Sequence, residues 1–581
     1  MIPFIDFPNP FAGYRSHSNP FQRPALGIQP FLIKKHHDPR PSRAIFTLAE
    51  LLTAIAGLAL LATATAATTV AAAVRAEVTL APLFTDSAVL QRGQPIAVWG
   101  TADAGENITV TFAGHSAITT ADADGQWLLR LPALPASSES RQLVVQARQQ
   151  NTITLNDIVV GEVWLASGQS NMEWIIRNTD TGKTETIFAD NPFVRHYKTA
   201  KKVSATPLRT AKGAWERTTP ATVGGFTALG YHFACELNRA LGVPVGIINS
   251  SWGATPVEAW MDAETADAAN GPAFAEIHTR WQQAIADYPV AKEHYDADLK
   301  AWEARRDAAK AAPGNKPFTL RRPDSPLRAG HRKQPGGLFN GMIAPHLPYA
   351  LRGFVWYQGE GNTPRHFEYR QFQTALINGW RKQFAQGDLP FYWVQLANYK
   401  SDAADGTRYA FLREAQTQCL ALPDTGQAVT IDIGNANNIH PRNKREAARR
   451  LALVALRRAY GHAGLVDSGP VFDSAIREGS AMRIHFKPAD PPSPLDSPRG
   501  VTPSGFELAG ADRIFHPAAA RIEGDTILVT TDRVPHPQAV RYAWRNAPTA
   551  GLFNLDGLPA CPFRSDDWQP KTTHDTPPAS P

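Results

Sequence analysis

The stretch Ile158-Val-Val-Gly-Glu-Val-Trp-Leu-Ala-Ser-Gly-Gln-Ser-Asn-Met-Glu-Trp174 decides the fold. Ile158 to Leu165 form a near-continuous apolar run, the mark of a strand covered on both faces, as in a parallel sheet. That strand ends in Ser167-Gly168 and leads through Gln169-Ser170-Asn171 into a helical segment. Ser170 therefore belongs at the carboxyl end of a strand, where open α/β sheets build their sites. Gly168 permits the tight turn, and the Ser170 amide, near a helix start, can face a developing oxyanion. Met172 stands where the last glycine of a GxSxG elbow belongs, so the stretch is not that motif. On local pattern alone, a serine here is more often a helix N-cap than a nucleophile.

Outward from this stretch the pattern repeats. Val245 to Asn249, Gly353 to Tyr357, Phe391 to Leu396 and Ala428 to Ile433 are further buried-strand candidates separated by helical segments. They predict an α/β domain with a parallel sheet over 156–466. Inside it, a helical insertion is expected at about 262–335, with Phe274, Ile277, Trp281, Ile285 and Tyr288, then Tyr295, Leu299 and Trp302, at helical spacing around Pro289. Such a hairpin either lies by the site or decorates the surface. Residues 77–155 alternate short apolar runs with turns, which predicts a small β-sandwich. Residues 467–571 are β-rich again, and 572–581 form a polar tail.

The chain of 581 residues carries a net charge of +6, but seven Lys/Arg against three Asp/Glu precede residue 77, so four of the six charges lie there. The rest is nearly neutral and gives no argument for a nucleic-acid partner. Residues 1–76 read as an N-terminal extension and export signal: Lys34, Lys35, Arg40 and Arg43 precede an Ala-rich apolar run from Leu51 to Ala73, then Val74-Arg75-Ala76 offers a cleavage site. The expectation is an exported protein, periplasmic or secreted, without stable membrane insertion after cleavage. Cys235, Cys419 and Cys561 are too few for a disulfide scaffold, leaving one bridge or none, and neither they nor any HExxH-like spacing suggests a metal site.

A serine nucleophile needs a base, and His440 is the best candidate. Asn437-Asn-Ile-His-Pro-Arg-Asn-Lys444 follows the strand candidate ending near Asp432 and precedes an Ala/Leu/Arg-rich helical segment, with Pro441 suited to its first turn. Ile248-Asn-Ser-Ser-Trp-Gly253 and Phe354-Val-Trp-Tyr-Gln358 also leave buried strands, so Gly253, through its amide, and Gln358, through its side chain, are candidate oxyanion donors. Each alone is easily a turn; four polar loops at strand ends of one sheet are not.

These residues resemble the sialate O-acetylesterases of the SGNH hydrolase superfamily. The resemblance runs from about Leu80 to Trp568 through Val89-Leu-Gln-Arg92, Val163-Trp-Leu-Ala-Ser-Gly-Gln-Ser-Asn-Met172, Trp252-Gly-Ala-Thr-Pro256, Asn340-Gly-Met-Ile-Ala-Pro345, Trp356-Tyr-Gln-Gly-Glu360, Ile439-His-Pro-Arg-Asn-Lys444 and Gly557-Leu-Pro-Ala-Cys-Pro-Phe-Arg-Ser-Asp-Asp567. It implies a flavodoxin-like three-layer α/β/α SGNH hydrolase domain with flanking β-sandwich and β-rich domains. It also implies cofactor-free hydrolysis of O-acetyl groups on a sugar or oligosaccharide, with Ser170 as nucleophile, His440 as base and Gly253 and Gln358 as oxyanion donors. Asn171, Glu360 and Asn362 are the expected sugar contacts. The pattern is departed from in two ways. Asn437 and Asn438 stand where relatives often carry an Asp that orients the histidine, leaving a Ser/His dyad with a backbone carbonyl or Asp432 as orienter. Gly361 stands where Ser is usual, which alters pocket shape more than chemistry. The alternative reading is a glycan-binding protein with an inactive hydrolase core.

Overall fold

The computed structural model describes residues 77–147, 151–311, 318–401, 406–497 and 501–568. The expected export segment at 1–76 and the polar tail at 572–581 lie outside the described residues. The chain is a mixed α/β protein in which one strand, Asn151–Gly168, does two jobs. Its first half alternates in exposure and pairs antiparallel with Ser137–Ala147 of the N-terminal β-region. From Ile158 onward every residue is buried, and Glu162 to Gly168 run parallel to Val245–Ser251 on one side. On the other side Trp164 to Gly168 run parallel to Gly353–Tyr357. The boundary expected at 155/156 thus falls inside a continuous strand, where half-buried alternation changes to burial on both faces.

Phe391–Val394 and Thr425–Ala428 extend the parallel sheet beyond Gly353–Tyr357. Taken in chain order, these five strands lie 2-1-3-4-5 in the sheet. Asn191–Lys198 and the antiparallel Trp215–Thr218 add an edge beside Val245–Ser251 that apolar periodicity does not predict. Helices Ala228–Leu241 and Lys444–Arg458 pack on each other, and His366–Phe384 packs with Arg408–Gln418. Trp164, Trp356, Trp380 and Trp393 are fully buried around the sheet. Each removes about 200 Å² from water, worth roughly 5 kcal/mol in transfer free energy.

The Val89-Leu-Gln-Arg92 motif proves structural. Val89–Gln91 pairs with Val159 to Gly161, Arg92 ion-pairs with the buried Glu162, and Arg352 meets the same carboxylate at 2.8 Å. Burial pushes the Glu162 pKa up, but Arg352 and Arg92 outweigh it and hold the carboxyl below its ordinary value.

The insertion contains two helices, Pro272–Ala286 and Tyr288–Ala311. The first buries Phe274 and Ile277, sets Phe274 against Phe372, and forks Arg280 onto Glu368 at 2.8 and 3.0 Å. The second buries no side chain. The C-terminal region is a seven-stranded sheet running from Phe472–Glu478 to Phe563–Arg564. Val429 and Ile431 pack into its core, so the chain after Thr425–Ala428 leaves the parallel sheet for this second core. Arg413, fully buried, adds to the junction by donating to the carbonyls of Leu396, Ala397, Arg545 and Asn546. Burial lowers its pKa to about 10. All three cysteines are free.

Candidate active site

Gly168 makes the turn at the end of the central strand. Its φ is +130°, and a Cβ there would lie 2.3 Å from the Tyr357 carbonyl oxygen, so the neighbouring strand closes in only on a glycine. The Gln169 amide donates to that carbonyl at 3.0 Å, and the helix Ser170–Glu173 follows at once. Ser170 is partly exposed at this strand end.

His440 arrives from the other side, on the irregular segment between Ala428 and Lys444. Its Nε2 lies 2.9 Å from Ser170 Oγ. Trp174, one turn past Ser170, stacks on the imidazole with centroids 4.8 Å apart and planes 19° apart. The Asn438 carboxamide oxygen accepts from the His440 amide at 2.9 Å, and Asn435 does the same for the Asn437 amide. Asn438 therefore shapes the loop by an Asx-turn rather than orienting the ring. Among the described residues no group bonds to His440 Nδ1. Burial, and then the nearby Lys444 charge, push the His440 pKa below 6.5. The ring is thus neutral, as a general base must be, to lower pH than a free histidine.

Among the described residues, Asp432 is paired with Arg450 rather than with His440. Both its carboxylate oxygens accept from Arg450 at 2.6 Å, a forked ion pair that commits it to the helix Lys444–Arg458. Gln358 also differs from its expected role as an oxyanion donor. It is fully buried, its Nε2 donates to Gln169 Oε1, Thr255 O and Asn362 Oδ1, and its Oε1 accepts from Tyr369 at 2.8 Å. With both side-chain polar atoms engaged, it ties the loops of Gln169, Thr255 and Asn362 together. Gly253 does lie against the serine: a Cβ there would sit 3.2 Å from Ser170 Cβ. Its amide donates to Glu173 Oε2 at 2.7 Å, and Glu173 ion-pairs with Lys201. A carboxylate oxygen thus occupies the Gly253 amide. Ala254 next to it holds φ at +59°, a strained value for a residue with a Cβ.

The expected sugar contacts fare differently from expectation. Asn362 is 1% exposed and bonded to Val257, Gln358 and Glu258, so it belongs to the scaffold. Asn171 is also 1% exposed; it donates to Glu360 Oε1 and to the Ile439 carbonyl at 3.0 Å. Glu360 keeps a second oxygen, Oε2, shut from solvent and without a partner among the described residues, and burial raises its pKa. At Gly361 a Cβ would press within 2.9 Å of the Thr255 carbonyl, so a side chain there requires that loop to move.

Three side chains at the site had gone unassigned. Trp174 and Glu173 sit one turn beyond the serine at the end of the stretch from Ile158 to Trp174, but their partners, His440 and Gly253, are 266 and 80 residues away in the chain. Lys444 closes the histidine motif. It is 1% exposed and donates to Asn171 Oδ1 and the Pro441 carbonyl, each at 2.6 Å. Among the described residues, no group of three or more His, Cys, Asp or Glu is placed to hold a metal ion.

Comparison with known proteins bears on what this arrangement does. The family described as carbohydrate esterase, sialic acid-specific acetylesterase, matches residues 337–455. A carbohydrate acetylesterase from Xanthomonas citri of known structure is 39% identical, covers 84% of this chain and all of its own, and superposes with a TM-score of 0.71. Sialate O-acetylesterase of Rattus norvegicus is 29% identical over 66% of this chain and 74% of its own length. The Homo sapiens enzyme of that name is 27% identical over 67% and 73%.

Proposed function

The chain belongs to the sialic acid-specific acetylesterase family of carbohydrate esterases, and on that premise we propose that it removes O-acetyl groups from sugars with Ser170 as nucleophile and His440 as base. Membership makes it a carboxylic ester hydrolase. The observation that carries the serine mechanism is the 2.9 Å separation of His440 Nε2 and Ser170 Oγ at the end of the central strand. The strand order 2-1-3-4-5 supports a flavodoxin-like SGNH hydrolase domain between the two β-regions.

His440 takes the Ser170 hydroxyl proton as Oγ attacks the acetyl carbonyl. The resulting oxyanion is met by the amides of Ser170 and Gly253, the latter once Glu173 yields it. Collapse expels the sugar oxygen, which takes the proton from His440, and leaves an acetyl-serine. His440 then deprotonates water, which attacks that ester, and Ser170 and acetate are released. Neither the trapped carboxamide of Gln358 nor Asp432 takes part. Residues 1–76 carry the proposal of export; among the described residues no helix is long and apolar enough to cross a membrane.

The test is acetate release from p-nitrophenyl acetate and from acetylated sugars. Ser170→Ala and His440→Ala are each expected to lose about 10⁴-fold or more in kcat while remaining folded. Release that persists in Ser170→Ala sinks the serine mechanism. A wild-type protein that binds sugars and releases no acetate restores the glycan-binding alternative.

A further inference from the structure

Among the described residues, no side chain accepts from His440 Nδ1 as the carboxylate of a Ser-His-Asp site does to hold the imidazole in register. The His440 backbone is gripped instead. Asn171 Nδ2 donates to the carbonyl of Ile439, the residue before the histidine, at 3.0 Å. Lys444 Nζ donates to the carbonyl of Pro441, the residue after it, at 2.6 Å. The two side chains are joined to each other, Lys444 Nζ to Asn171 Oδ1 at 2.6 Å, and Asn171 directly follows Ser170. We propose that Asn171 and Lys444 are positioning residues, a clamp that ties both carbonyls flanking His440 to the nucleophile's helix and so keeps Nε2 on the serine hydroxyl without a carboxylate.

Burial argues for this assignment over a solvent-facing one. Asn171 and Lys444 are each 1% exposed, so neither can be a sugar contact in this arrangement. A buried ammonium is kept only where its surroundings are organised around it. Here Glu360 and Asp180 oppose the burial that lowers the Lys444 pKa to about 7. The rings of Tyr357 and Trp174 lie 5.4 and 6.0 Å from Nζ, and His440 feels the charge in turn. Glu360 accepts from Asn171 on its other side, which fixes the carboxamide's sense: oxygen toward Lys444, nitrogen toward Glu360 and Ile439. Asn171 and Lys444 thus hold the backbone on either side of His440 while Glu360 orients Asn171.

The proposal rests on the Ser170/His440 reading, so Ser170→Ala and His440→Ala are assayed beside it. The decisive variants are Lys444→Met, which exchanges the ammonium for an apolar chain of similar length, and Asn171→Leu, of similar volume but with neither donor nor acceptor. In each, kcat on p-nitrophenyl acetate at the pH plateau is expected to fall roughly 30-fold, the scale of sub-ångström misplacement of a reacting group. KM should stay within about twofold, because no substrate contact is removed. Lys444→Met should also move the acid limb of kcat/KM to higher pH. Removing a positive charge beside His440 favours its protonated form, so the neutral base is lost at a higher pH than in wild type. Asn171→Leu keeps that charge and decides the question alone if Lys444→Met does not fold. A plateau kcat within about twofold of wild type overturns the clamp, as does a loss carried by KM, which would make the pair a sugar contact. Turnover retained in Ser170→Ala instead brings down the serine reading.

Discussion

The nucleophile and the base are held by different means. Ser170 ends a strand whose last eleven residues are all buried, and it is set by a backbone bond between strand ends, Gln169 N to Tyr357 O at 3.0 Å. His440 sits on a loop with no regular structure from 429 to 443, and it is held by side chains: an Asx-turn from Asn438, a stacked Trp174, and the Asn171–Lys444 pair. A sheet places its strand ends as a by-product of its own hydrogen-bond ladder, which is cooperative and hard to shift. A loop has no such ladder, so each degree of freedom needs its own contact. The nucleophile side should therefore fail by unfolding, and the base side by losing rate with the fold intact.

Gly168→Ala tests the first half of that contrast and should have the largest effect. A Cβ 2.3 Å from the Tyr357 carbonyl, at φ +130°, forces the two central strands apart. The expected loss is roughly 3 kcal/mol or more of stability, read as a lower melting temperature. Retention of wild-type stability would show that the strand ends are not the rigid partner. Trp174→Leu tests the second half. Loss of the 4.8 Å stack should cost about 1 kcal/mol of imidazole positioning, hence roughly fivefold in kcat with an unchanged melting curve. If the melting temperature falls and kcat does not, the contrast is broken. Glu173→Gln is the finest probe. A neutral carboxamide holds the Gly253 amide less firmly than the carboxylate now 2.7 Å away, and it removes a negative charge from beside the developing oxyanion. kcat/KM should rise about threefold; a fall would mean that Glu173 supports the loop and that Gly253 is not an oxyanion donor.

The same contrast explains what could be read in advance. Four of the expected strands are present at Asn151–Gly168, Val245–Ser251, Gly353–Tyr357 and Phe391–Val394. The fifth was offset. The apolar run from Ala428 to Ile433 begins where the strand Thr425–Ala428 ends, because Val429 and Ile431 fill the C-terminal core instead of the sheet. An apolar residue announces that it will be buried, not in which of two cores. The edge strands Asn191–Lys198 and Trp215–Thr218 escaped for the complementary reason, since polar residues interrupt their apolar ones. At the site, Asn171, Asn362 and Gln358 stand on the expected loops, but their amides are spent on one another and on the scaffold.

The sequence alone determined that a buried strand delivers Ser170 at its carboxyl end, that His440 follows a later strand of the same sheet, and that the motifs linking them are those of a carbohydrate acetylesterase. Apolar periodicity and turn residues act locally, so they are legible along the chain. Tertiary structure alone decided which polar groups are free. Asp432 answers to Arg450, Gln358 to Tyr369, Gly253 to Glu173, and the His440 loop to Lys444 and Asn171. A hydrogen-bonding group has little capacity to spare and takes the partner that packing brings within 3 Å; where that partner stands is a property of the fold, not of the residue.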